Sequence, residues 1–589
     1  MNIIQTNEVE FEINRELLSK DFRIFRLFFN SENYSELFGK IIKNKNLSSK
    51  ILATTFEKSG NLCYVLTKEN IRTDCLVDRI DCEELDTKNT PNQILLNLIL
   101  FYCSKYYTND RNEKIISNVD GNLYSFVEKY KNHFTALHLY FKETNGVITL
   151  NSDLTTFTKL TCFKGAIKEK VMKYPKYSIT SSHQIIRVFD IDEDIYVRKS
   201  TDKDKKNNIQ EFAISTAFFK TRVSHLCKIY ETMMHSKYIN FFEFKTEEYN
   251  LINDQYYKEH EKYIEKFSPT ITIINKCNDS LYSDWLEYWF KLFGYSTQQS
   301  SSYGQYNVVI IPSANKEHNE MHHNYEVVKN CIVKSNIKTN DTKQNRNTMR
   351  SIVKTIINQL LIKEDIKDNK IDLFDFKKVN SFFVSTTIYD ILYDNKTKRF
   401  SYSSLTTNNN GEITEIFLDK PVNILEGKIY TICNKILINK SAKIIRIDNE
   451  YFIINDIFKT LPMIDKLYDM IYGEEYIEIN RKVDLVKNVF HCYLESGYKI
   501  SDNKLFYFSN AGTPGLSIKK SIRNANIIRE IHNIDNKPLK ETTINLLLMT
   551  IYTTFVRYNV YSTQPFLFKY LDEIKRMEKE KSSDSIKND

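Results

Sequence analysis

The sequence has no long apolar run, no closely spaced cysteine pair and very little tryptophan. No stretch of its 589 residues approaches the roughly 18 consecutive apolar residues of a membrane-spanning helix. Its start, MNIIQTNEVEFE, lacks the basic and apolar regions of a secretion signal. Ten cysteines without a CxxC pair indicate buried free thiols. These absences predict an intracellular, cytoplasmic protein.

The charge is modest for a nucleic-acid-binding chain. A net charge of +8 makes non-specific electrostatic binding weaker than in a histone-like protein, so any basic channel must come from local clusters. Three clusters exist, of which the first is best explained as a solvated surface: KDKKNN at 203–208, KSNIKTNDTKQNRNTMR at 334–350 and KKSIRNANIIR at 519–529. The 38 tyrosines and 37 phenylalanines could stack on bases, but an AT-rich genome explains them as well.

Two amphipathic segments could form a phosphate pocket. The segment NYEVVKNCIVKSNIKTN predicts a helix with Tyr325 and Lys329 at i, i+4 on one face. The segment RNTMRSIVKTIINQLLIKED predicts a second helix, capped by Asn347 and ending at Lys363. A terminal phosphate needs fixed cations and neutral donors, which Tyr325, Lys329, Asn340 and Lys363 could supply. A tyrosine and a lysine at this spacing more often form a solvated helix face.

This region resembles the MID domain of Argonaute proteins. There, a strand, a Y-x-x-x-K helix, a glutamine-containing loop and a helix ending in lysine bind the 5′-phosphate of a guide strand. The corresponding pieces here are NVVIIPS (307–313), YEVVK (325–329), SNIKTND (335–341) and QLLIK (359–363). Asn340 stands where the loop glutamine is expected, with Gln344 as the alternative counterpart.

The chain beyond residue 375 resembles the PIWI domain, which implies a ribonuclease-H-like fold. KLFYFSNAGTPGL (504–516) is similar to the family's strand and S-H-A-G-x-x-G-T turn, and YIEINRKVDLVKNVF (476–490) to its basic core strand. The segment VRYNVYSTQPFLFKYLDEIKRM is similar to the closing helix, which places Lys575 where a basic residue reaches the guide phosphate. The resemblance covers about the last half of the chain.

The same resemblance leaves few acidic residues at the catalytic positions of PIWI. Two-metal hydrolysis needs carboxylates that converge on ions about 4 Å apart. The matching positions carry Thr386 or Thr387, then Asp448 or Asn449, then Ser521, with Glu412 or Glu415 as the remaining candidates. At best two of four ligands remain, which predicts a protein that binds nucleic acid without cutting it and has no catalytic residues. The alternative is an active guided endonuclease that uses carboxylates such as Asp390, Asp394 and Asp448.

The predicted fold is a multidomain α/β protein with a Rossmann-like MID domain, a ribonuclease-H-like PIWI domain and α+β N-terminal modules. The predicted domains are an N-like domain (1–80), a linker or reduced PAZ-like region (81–250), MID (251–375), PIWI (376–575) and a polar, frayed tail (576–589). Residues 48–68 predict a hairpin with its turn at 59–61, 92–105 and 121–141 predict helices, and 270–276 predict the first MID strand.

The resemblance also implies partners. These are a short guide strand, RNA or DNA, and a complementary target strand, with Mg²⁺ beside the guide 5′-phosphate. An inactive member implies an associated effector, such as a nuclease, a membrane effector or an NAD-consuming protein, and a role in defence or silencing.

Two further patterns compete with this interpretation. His318 and His322 are spaced i, i+4, as in some metal sites, but they fall in a predicted loop. Lys199 and Glu211 imitate the strand lysine and helix glutamate of protein kinases, yet the remaining kinase motifs are absent from the sequence. A salt bridge or plain surface charge explains those two residues better.

Overall fold

A computed structural model describes most of the chain. The described residues are 3–29, 50–56, 62–68, 80–104, 116–119, 121–144, 147–188, 194–199, 211–213, 221–234, 238–252, 269–277, 279–312, 329–438, 440–464, 466, 489–510, 521–522, 525–553 and 561–585. The predicted residues Tyr325, His318 and His322 and most of the predicted strand 476–490 lie outside them. No helix in the described part is both long enough and apolar enough to cross a bilayer.

The first part of the chain forms a small antiparallel sheet with helices beside it. Its strands, in the spatial order β3-β4-β2-β5, are β2 (Arg23–Phe29), β3 (Ile51–Phe56), β4 (Leu62–Thr67) and β5 (Ile80–Leu85). The α-helices in the described part of the first 234 residues are α1 (Arg15–Asp21), α2 (Asn92–Ser104), α3 (Gly165–Met172) and α4 (Arg222–Met234). The two strands of the hairpin predicted at 48–68 pair as expected, although its predicted turn lies outside the described residues, and the helix predicted at 92–105 is confirmed.

The helix predicted at 121–141 is wrong. This segment forms two paired strands, β7 (Asn122–Lys129) and β8 (His133–Thr144), in which Phe134 lies opposite Lys129 and a bend at 131–132 joins the strands. Its tyrosines, phenylalanines and threonines suit a pleated, half-buried surface, and this preference prevails over the weak helical spacing. The strands of this region are β6 (Ser117–Val119), β7 (Asn122–Lys129), β8 (His133–Thr144), β9 (Val147–Lys159), β10 (Lys176–Ile179), β11 (Ile185–Val188), β12 (Tyr196–Val197) and β13 (Phe212–Ala213).

A long antiparallel pair ties the two halves of the chain together. Strand β1 (Ile3–Ile13) pairs with β14 (Ile239–Leu251) along its length and touches β9 through Glu10 and Thr149. Strand β14 in turn pairs with β24 (Gly497–Ser501) of the C-terminal half, where Asn250 lies opposite Tyr498. Nearby, Glu211 forms a buried ion pair with Arg222 at 2.9 Å, which confirms the salt-bridge interpretation of that glutamate.

The MID-like part is a four-stranded parallel sheet. Its strands, in the order β16-β15-β17-β18, are β15 (Thr270–Asn275), β16 (Ser296–Gln299), β17 (Tyr306–Ile311) and β18 (Lys329–Val333). Helix α5 (Leu281–Leu292) follows β15, and α6 (Lys343–Lys367) follows β18. The predicted first strand, the strand at 307–313 and the Rossmann-like character of this domain are confirmed.

The helix predicted across Lys329 is wrong, because residues 329–333 form β18. Asn330, Ile332 and Val333 pair with β17, and a short apolar run with β-branched residues fits a buried strand as well as a helix. The second predicted helix exists as α6, but Thr342 is its cap, accepting from the Asn345 amide at 3.2 Å. Helix α6 also continues past Lys363 to Lys367.

The C-terminal half is an antiparallel sheet in the order β21-β20-β19-β22-β23-β27-β25-β24. The strands are β19 (Ser385–Asp394), β20 (Arg399–Asn408), β21 (Ile413–Pro421), β22 (Ala442–Ile447), β23 (Glu450–Lys459), β24 (Gly497–Ser501), β25 (Lys504–Phe508) and β27 (Ile527–Asn533), with β26 (Ser521–Ile522) in a separate pair with β13. The helices are α7 (Lys428–Thr431), α8 (His491–Leu494), α9 (Glu541–Ile551) and α10 (Leu567–Ser585).

Helices α6 and α10 cover one face of this sheet and share its core. Ile388, Leu405 and Ile445 of the sheet are buried together with Leu360 of α6 and Leu571 of α10. The predicted α/β multidomain class is therefore confirmed. The tail predicted as frayed is helical up to Ser585, because α10 extends that far.

Candidate nucleic-acid interface

Lys363, a predicted phosphate ligand, lies inside the contact between α6 and α10. Its side chain is fully buried, and its Nζ is 3.9 Å from Oε1 of Glu573. Glu573 also faces Lys569, at 3.8 Å, and the guanidinium of Arg576. The buried carboxylate of Glu573 thus forms ion pairs with three cations, of which Lys363 is the least exposed. In this structure its ammonium joins two helices.

Lys575 is paired with a carboxylate of the sheet. Its Nζ donates to Oδ2 of Asp390 at 2.5 Å, and the two side chains are 13% and 18% exposed. Asp390 stands directly opposite Lys443 of β22, so it is flanked by two lysines. Helix α10 is therefore fixed to α6 through Glu573 and to the sheet through Lys575.

A buried carboxyl group forms the third polar contact of α10. The hydroxyl of Tyr570 donates to Oδ2 of Asp365 on α6 at 2.5 Å, and the Leu373 amide donates to the same oxygen at 3.4 Å. Burial raises the pKa of Asp365 to about 7, although the Tyr570 hydrogen bond lowers it. The junction of the two helices therefore contains a group that titrates near neutrality.

The structure does not bring Asn340 and Lys363 together. Asn340 lies in the loop before α6, whereas Lys363 lies 20 residues beyond the start of that helix, a distance of about 30 Å along its axis. Glu364, next to Lys363, accepts from the Tyr306 hydroxyl at the start of β17. Lys363 is therefore near the amino edge of the parallel sheet, and Asn340 is beyond its carboxyl edge.

Lys329 also lies at the amino edge. It is the first residue of β18 and pairs with Asn307, the second residue of β17. The residue at the other end of that strand is Val333, which Lys334 follows. Lys334, rather than Lys329, is thus the lysine of this strand that stands at the carboxyl edge.

The carboxyl edge has the geometry of a ligand site. Connections leave the sheet in opposite directions between β15 and β17, and open parallel sheets bind ligands outside the carboxyl ends of their strands at such a point. Lys276 directly follows β15, and Lys334 directly follows β18. The Lys334 ammonium is 5.8 Å from the centre of the Tyr282 ring, at the start of α5.

Cys277 confirms that these ends are close in space. Burial raises the pKa of the Cys277 thiol, while the nearby charge of Lys334 lowers it. The Lys334 ammonium therefore lies beside the carboxyl end of β15 as well as beside α5. Asp279 adds one carboxylate to this region, where its Oδ1 accepts from the Leu281 amide at 2.9 Å and caps α5.

The start of α6 completes this edge. It has no acidic residue in its first turn, so the positive end of the helix dipole is not neutralised there by a side chain of that turn. Gln344 is exposed in the same turn, and the Asn345 amide group donates to both the carbonyl and the side-chain oxygen of Asn340. An anion placed here would meet lysine ammonium groups, amide groups and a helix N-terminus.

Three of the positions matched to catalytic carboxylates lie at one end of the C-terminal antiparallel sheet. Thr386 on β19 is 6% exposed, and its hydroxyl has no partner among the described residues. Asp448 follows β22 in a turn with a φ of 52°, and its Oδ1 accepts from the amides of Val384 and Ser385 at 2.8 and 3.0 Å. Asn449 is exposed in the same turn. Since Thr386 pairs with Ile447, these positions share one end of the sheet.

The remaining matched positions are divided between this sheet and another pair of strands. Ser521 belongs to the two-stranded pair β13–β26, opposite Ala213. Glu412 accepts from the Asn408 amide group at 2.7 Å in the turn between β20 and β21, and Glu415 lies on β21, an outer strand of this sheet. Asn408 pairs with Ser385, and Thr406 pairs with both Thr387 and Glu415, so the two glutamates lie at the same end of the sheet as Thr386, whereas Ser521 belongs to another pair of strands.

The described residues do not fit a protein-bound metal ion. Within them, no three or more histidine, cysteine, aspartate and glutamate side chains are grouped to hold one. The carboxylates nearest the predicted guide-binding lysines, Glu573 and Asp390, already form ion pairs. The Mg²⁺ that the resemblance implies beside a guide phosphate stays a prediction.

The sequence singled out Lys363 and missed Lys334. The available signal was a lysine placed directly after the apolar residues 331–333, at the head of the basic cluster 334–350. Recognising it requires knowing that those residues form a strand and that its carboxyl end faces the topological switch point. That information comes from the sheet.

No family model and no curated protein matches this chain. Among solved structures, it is similar to Marinitoga piezophila Argonaute in complex with 5′-OH guide RNA and target DNA, with 11% identity, 97% of this chain and 98% of that chain covered, and a TM-score of 0.46. It is similar to Kluyveromyces polysporus Argonaute with a guide RNA, at 10% identity, 98% and 95% coverage and a TM-score of 0.43. It is also similar to the Methanocaldcoccus janaschii Argonaute in complex with guide DNA, with 12% identity, 97% of this chain and 96% of that chain covered, and a TM-score of 0.40.

The chain is thus similar to Argonaute structures over nearly its whole length. Identities of 10 to 12% and TM-scores below 0.5 assign neither family membership nor function, so the chain's own residues have to carry the functional conclusion.

Proposed function

We propose that this protein binds the 5′ end of a short guide strand and pairs the guide with a complementary target strand without cleaving it. The observation that carries the proposal is the carboxyl edge of the parallel sheet, where Lys334, Lys276 and the start of α6 form a positively charged site at the topological switch point. The solved structures that the chain resembles are named as complexes with guide RNA, guide DNA and target DNA.

The guide end is an anion, and the edge supplies what an anion needs. A terminal phosphate accepts hydrogen bonds from ammonium groups, amide groups and helix N-terminal amides. Lys334 provides the charge, Gln344 provides a neutral donor and α6 provides the backbone amides. Base pairing then supplies the sequence specificity, while the protein holds phosphates.

The positions at the start of β19 and just after the end of β22 support binding without cleavage. Hydrolysis by two metal ions needs several carboxylates that face a common point. Thr386 offers a neutral hydroxyl, and Asp448 has one oxygen already bound by two backbone amides. A protein with these side chains holds a target strand in place and leaves its phosphodiester bonds intact.

The alternative is an endonuclease that uses Asp390, Asp394 and Asp448. Asp390 is paired with Lys575, and Asp394 accepts from the Lys396 amide at 2.8 Å and from the Thr397 hydroxyl at 2.9 Å in the β19–β20 turn. Asp390 and Asp394 sit towards the end of β19, whereas Asp448 lies beside its start. The three carboxylates therefore do not surround one point.

One experiment tests both parts of the proposal. The purified protein is given 5′-phosphorylated or 5′-hydroxyl guides, as RNA and as DNA, and a labelled complementary target with Mg²⁺ or Mn²⁺. We expect guide-dependent retention of an uncut target. Guide-directed cleavage that disappears in Asp448→Ala would refute the non-cleaving function and support the endonuclease.

The guide-end site is tested by comparing two lysines. Lys334→Ala is expected to weaken the binding of 5′-phosphorylated guides by about 1.5–3 kcal/mol, the usual contribution of a hydrogen bond to a charged group. The binding of 5′-hydroxyl guides should weaken much less. Lys363→Met is the matched control, because Lys569 and Arg576 remain beside Glu573. The opposite result would be a selective loss of affinity for 5′-phosphorylated guides in Lys363→Met, alone or with Lys329→Ala, and no selective loss in Lys334→Ala. In that case the pocket predicted from sequence is correct and the carboxyl-edge site is not.

A further inference from the structure

Helix α5 carries an apolar stripe on the side that faces away from the core. We call this the α5 stripe, and its members recur at i, i+4, i+7 and i+11. Three of them are well exposed, at 45%, 37% and 43%, while Trp285 is half-buried. The α5 stripe consists of Leu281, Trp285, Tyr288 and Leu292. The opposite side of α5 already packs on the sheet through Leu286, Trp289 and Phe290. Trp285 packs partly against the same core, so the three exposed members of the stripe are additional to it.

Part of the α5 stripe is held rigidly in place. The Tyr288 hydroxyl donates to Oδ2 of Asp341 at 2.5 Å. Arg346 donates to both oxygens of the same carboxylate, from Nε at 2.6 Å and from Nη2 at 2.7 Å. Side chains that are fixed before binding lose little freedom when a partner arrives. Tryptophan, tyrosine and arginine are also the residues that most often dominate binding energy at protein interfaces.

The two sides of the α5 stripe differ in charge. On one side Glu287 pairs with Lys291 at 2.6 Å, and Gln299 donates to Glu287 and to Asp284, whose carboxylate leaves that side negative. On the other side lies the start of α6, where the Arg350 guanidinium is 5.4 Å from the centre of the Phe293 ring. Among the described residues, no carboxylate forms an ion pair with Arg350 or Lys343. The stripe is therefore bordered by positive charge on its α6 side.

We propose that the α5 stripe and the adjoining start of α6 dock an amphipathic helix of a partner protein, whose carboxylates face Arg350 and Lys343. The stripe spans 12 residues, about 16 Å from first to last, which matches the apolar face of about three turns of a partner helix. Apolar side chains in the centre and charges at the rim form the usual arrangement of such an interface.

A protein helix fits this surface better than unpaired bases do. Stacking needs free ring faces, but the Trp285 ring lies 5.9 Å from Trp289 at an interplanar angle of 32°, and Arg350 covers Phe293. The two ends of the stripe are the aliphatic side chains of Leu281 and Leu292, which offer no π face to a base.

The test uses the two tryptophans of the chain, both of which lie on α5. The full-length protein is titrated with a synthetic tryptophan-free helical peptide about four turns long, with leucines at i, i+3, i+4 and i+7 and glutamates on the flanks. A second peptide carries lysines in place of the glutamates. We expect a saturable change in tryptophan emission with the acidic peptide and about tenfold weaker binding of the basic one.

Two variants locate the binding surface. Leu281→Ser combined with Leu292→Ser should weaken the acidic peptide at least about tenfold, and Arg350→Glu should reverse the preference between the peptides. Leu392→Ser is the matched control, since Leu392 is 45% exposed but lies on β19, and it should bind as the wild type does. Unchanged thermal melting of the variants shows that they are folded.

Several results would overturn the proposal. They are no saturable binding of the acidic peptide, equal binding by the double serine variant, or an emission change produced by a single-stranded oligonucleotide instead of the peptide. Concentration-dependent dimerisation that the double serine variant abolishes would assign the stripe to a second copy of this chain. The peptide and dimerisation results do not depend on guide binding, so they leave the proposed function unaffected.

Discussion

Replacing Asp365 by asparagine should remove a pH dependence of stability from the junction between α6 and α10. Burial raises the pKa of this carboxyl group from 3.8 to about 7 in the folded chain. The folded state therefore binds the proton more tightly than the unfolded state. The stabilisation is fully present below about pH 4 and is lost as the pH rises through about 7.

The size of the effect follows from the shift. One pKa unit corresponds to about 1.4 kcal/mol, so a rise from 3.8 to about 7 corresponds to about 4 kcal/mol in all. Roughly 2.5 kcal/mol of this falls between pH 5 and pH 8. The asparagine can still accept from the Tyr570 hydroxyl and the Leu373 amide through its carbonyl oxygen, but it carries no titrating proton. The variant should therefore gain stability relative to the wild type as the pH rises.

The assay is hydrogen exchange of the α10 amides, because the contact between the two helices is local and opens locally. Opening free energies of wild type and Asp365→Asn are compared at pH 5 and pH 8 after correction for intrinsic exchange rates. Comparing the two proteins cancels the groups that they share. Asp368→Asn, an exposed change at the end of the same helix, should follow the wild type.

A difference between wild type and Asp365→Asn that is equal at both pH values would refute the reasoning. Tyr570→Phe provides an independent check. It removes the hydrogen bond that lowers the pKa of Asp365, so the midpoint of the pH dependence should move upward. A downward movement would mean that the hydroxyl does not act on the carboxylate in the way the geometry indicates.

The other predictions concern stability elsewhere in the chain. Thr342→Ala should destabilise α6 by about 1 kcal/mol by removing its cap, with Thr342→Ser nearly neutral, as measured by exchange of the first α6 amides. Glu211→Gln should cost about 3–5 kcal/mol in equilibrium unfolding, because it leaves the buried Arg222 guanidinium without its carboxylate. Glu450→Gln, which breaks an exposed ion pair, should cost less than about 1 kcal/mol, and equal losses for the two glutamates would contradict the burial argument.

The resemblance was informative about elements and less so about the positions of side chains. The strands at 270–275 and 306–311 and helix α6 were identified from sequence, because long periodic or strongly apolar segments leave little choice of structure. The segment 329–333 is assigned wrongly from sequence, because its short apolar run, Cys331 to Val333, fits either a helix or a strand. Only pairing with β17 settled it.

The predicted phosphate pocket also shows that sequence motifs do not give the distances between side chains. Asn340 and Lys363 are close in the pattern of motifs, yet α6 separates them by about 30 Å. The cytoplasmic location, the effector and the role in defence or silencing stay predictions, as do the domain boundaries.

The sequence by itself determined the layers of this protein, its modest charge and the neutral side chain at residue 386, since each of these is a property of local composition and period. The tertiary structure decided which lysines are free to meet a ligand. Lys575 and Asp390 are 185 residues apart in the chain, and Tyr570 and Asp365 are 205 apart, yet each pair is in direct contact. No local pattern encodes such a contact, because it exists only after α10 has packed against both α6 and the sheet. The same packing buries Lys363, while Lys334 stands at the carboxyl edge of the other sheet.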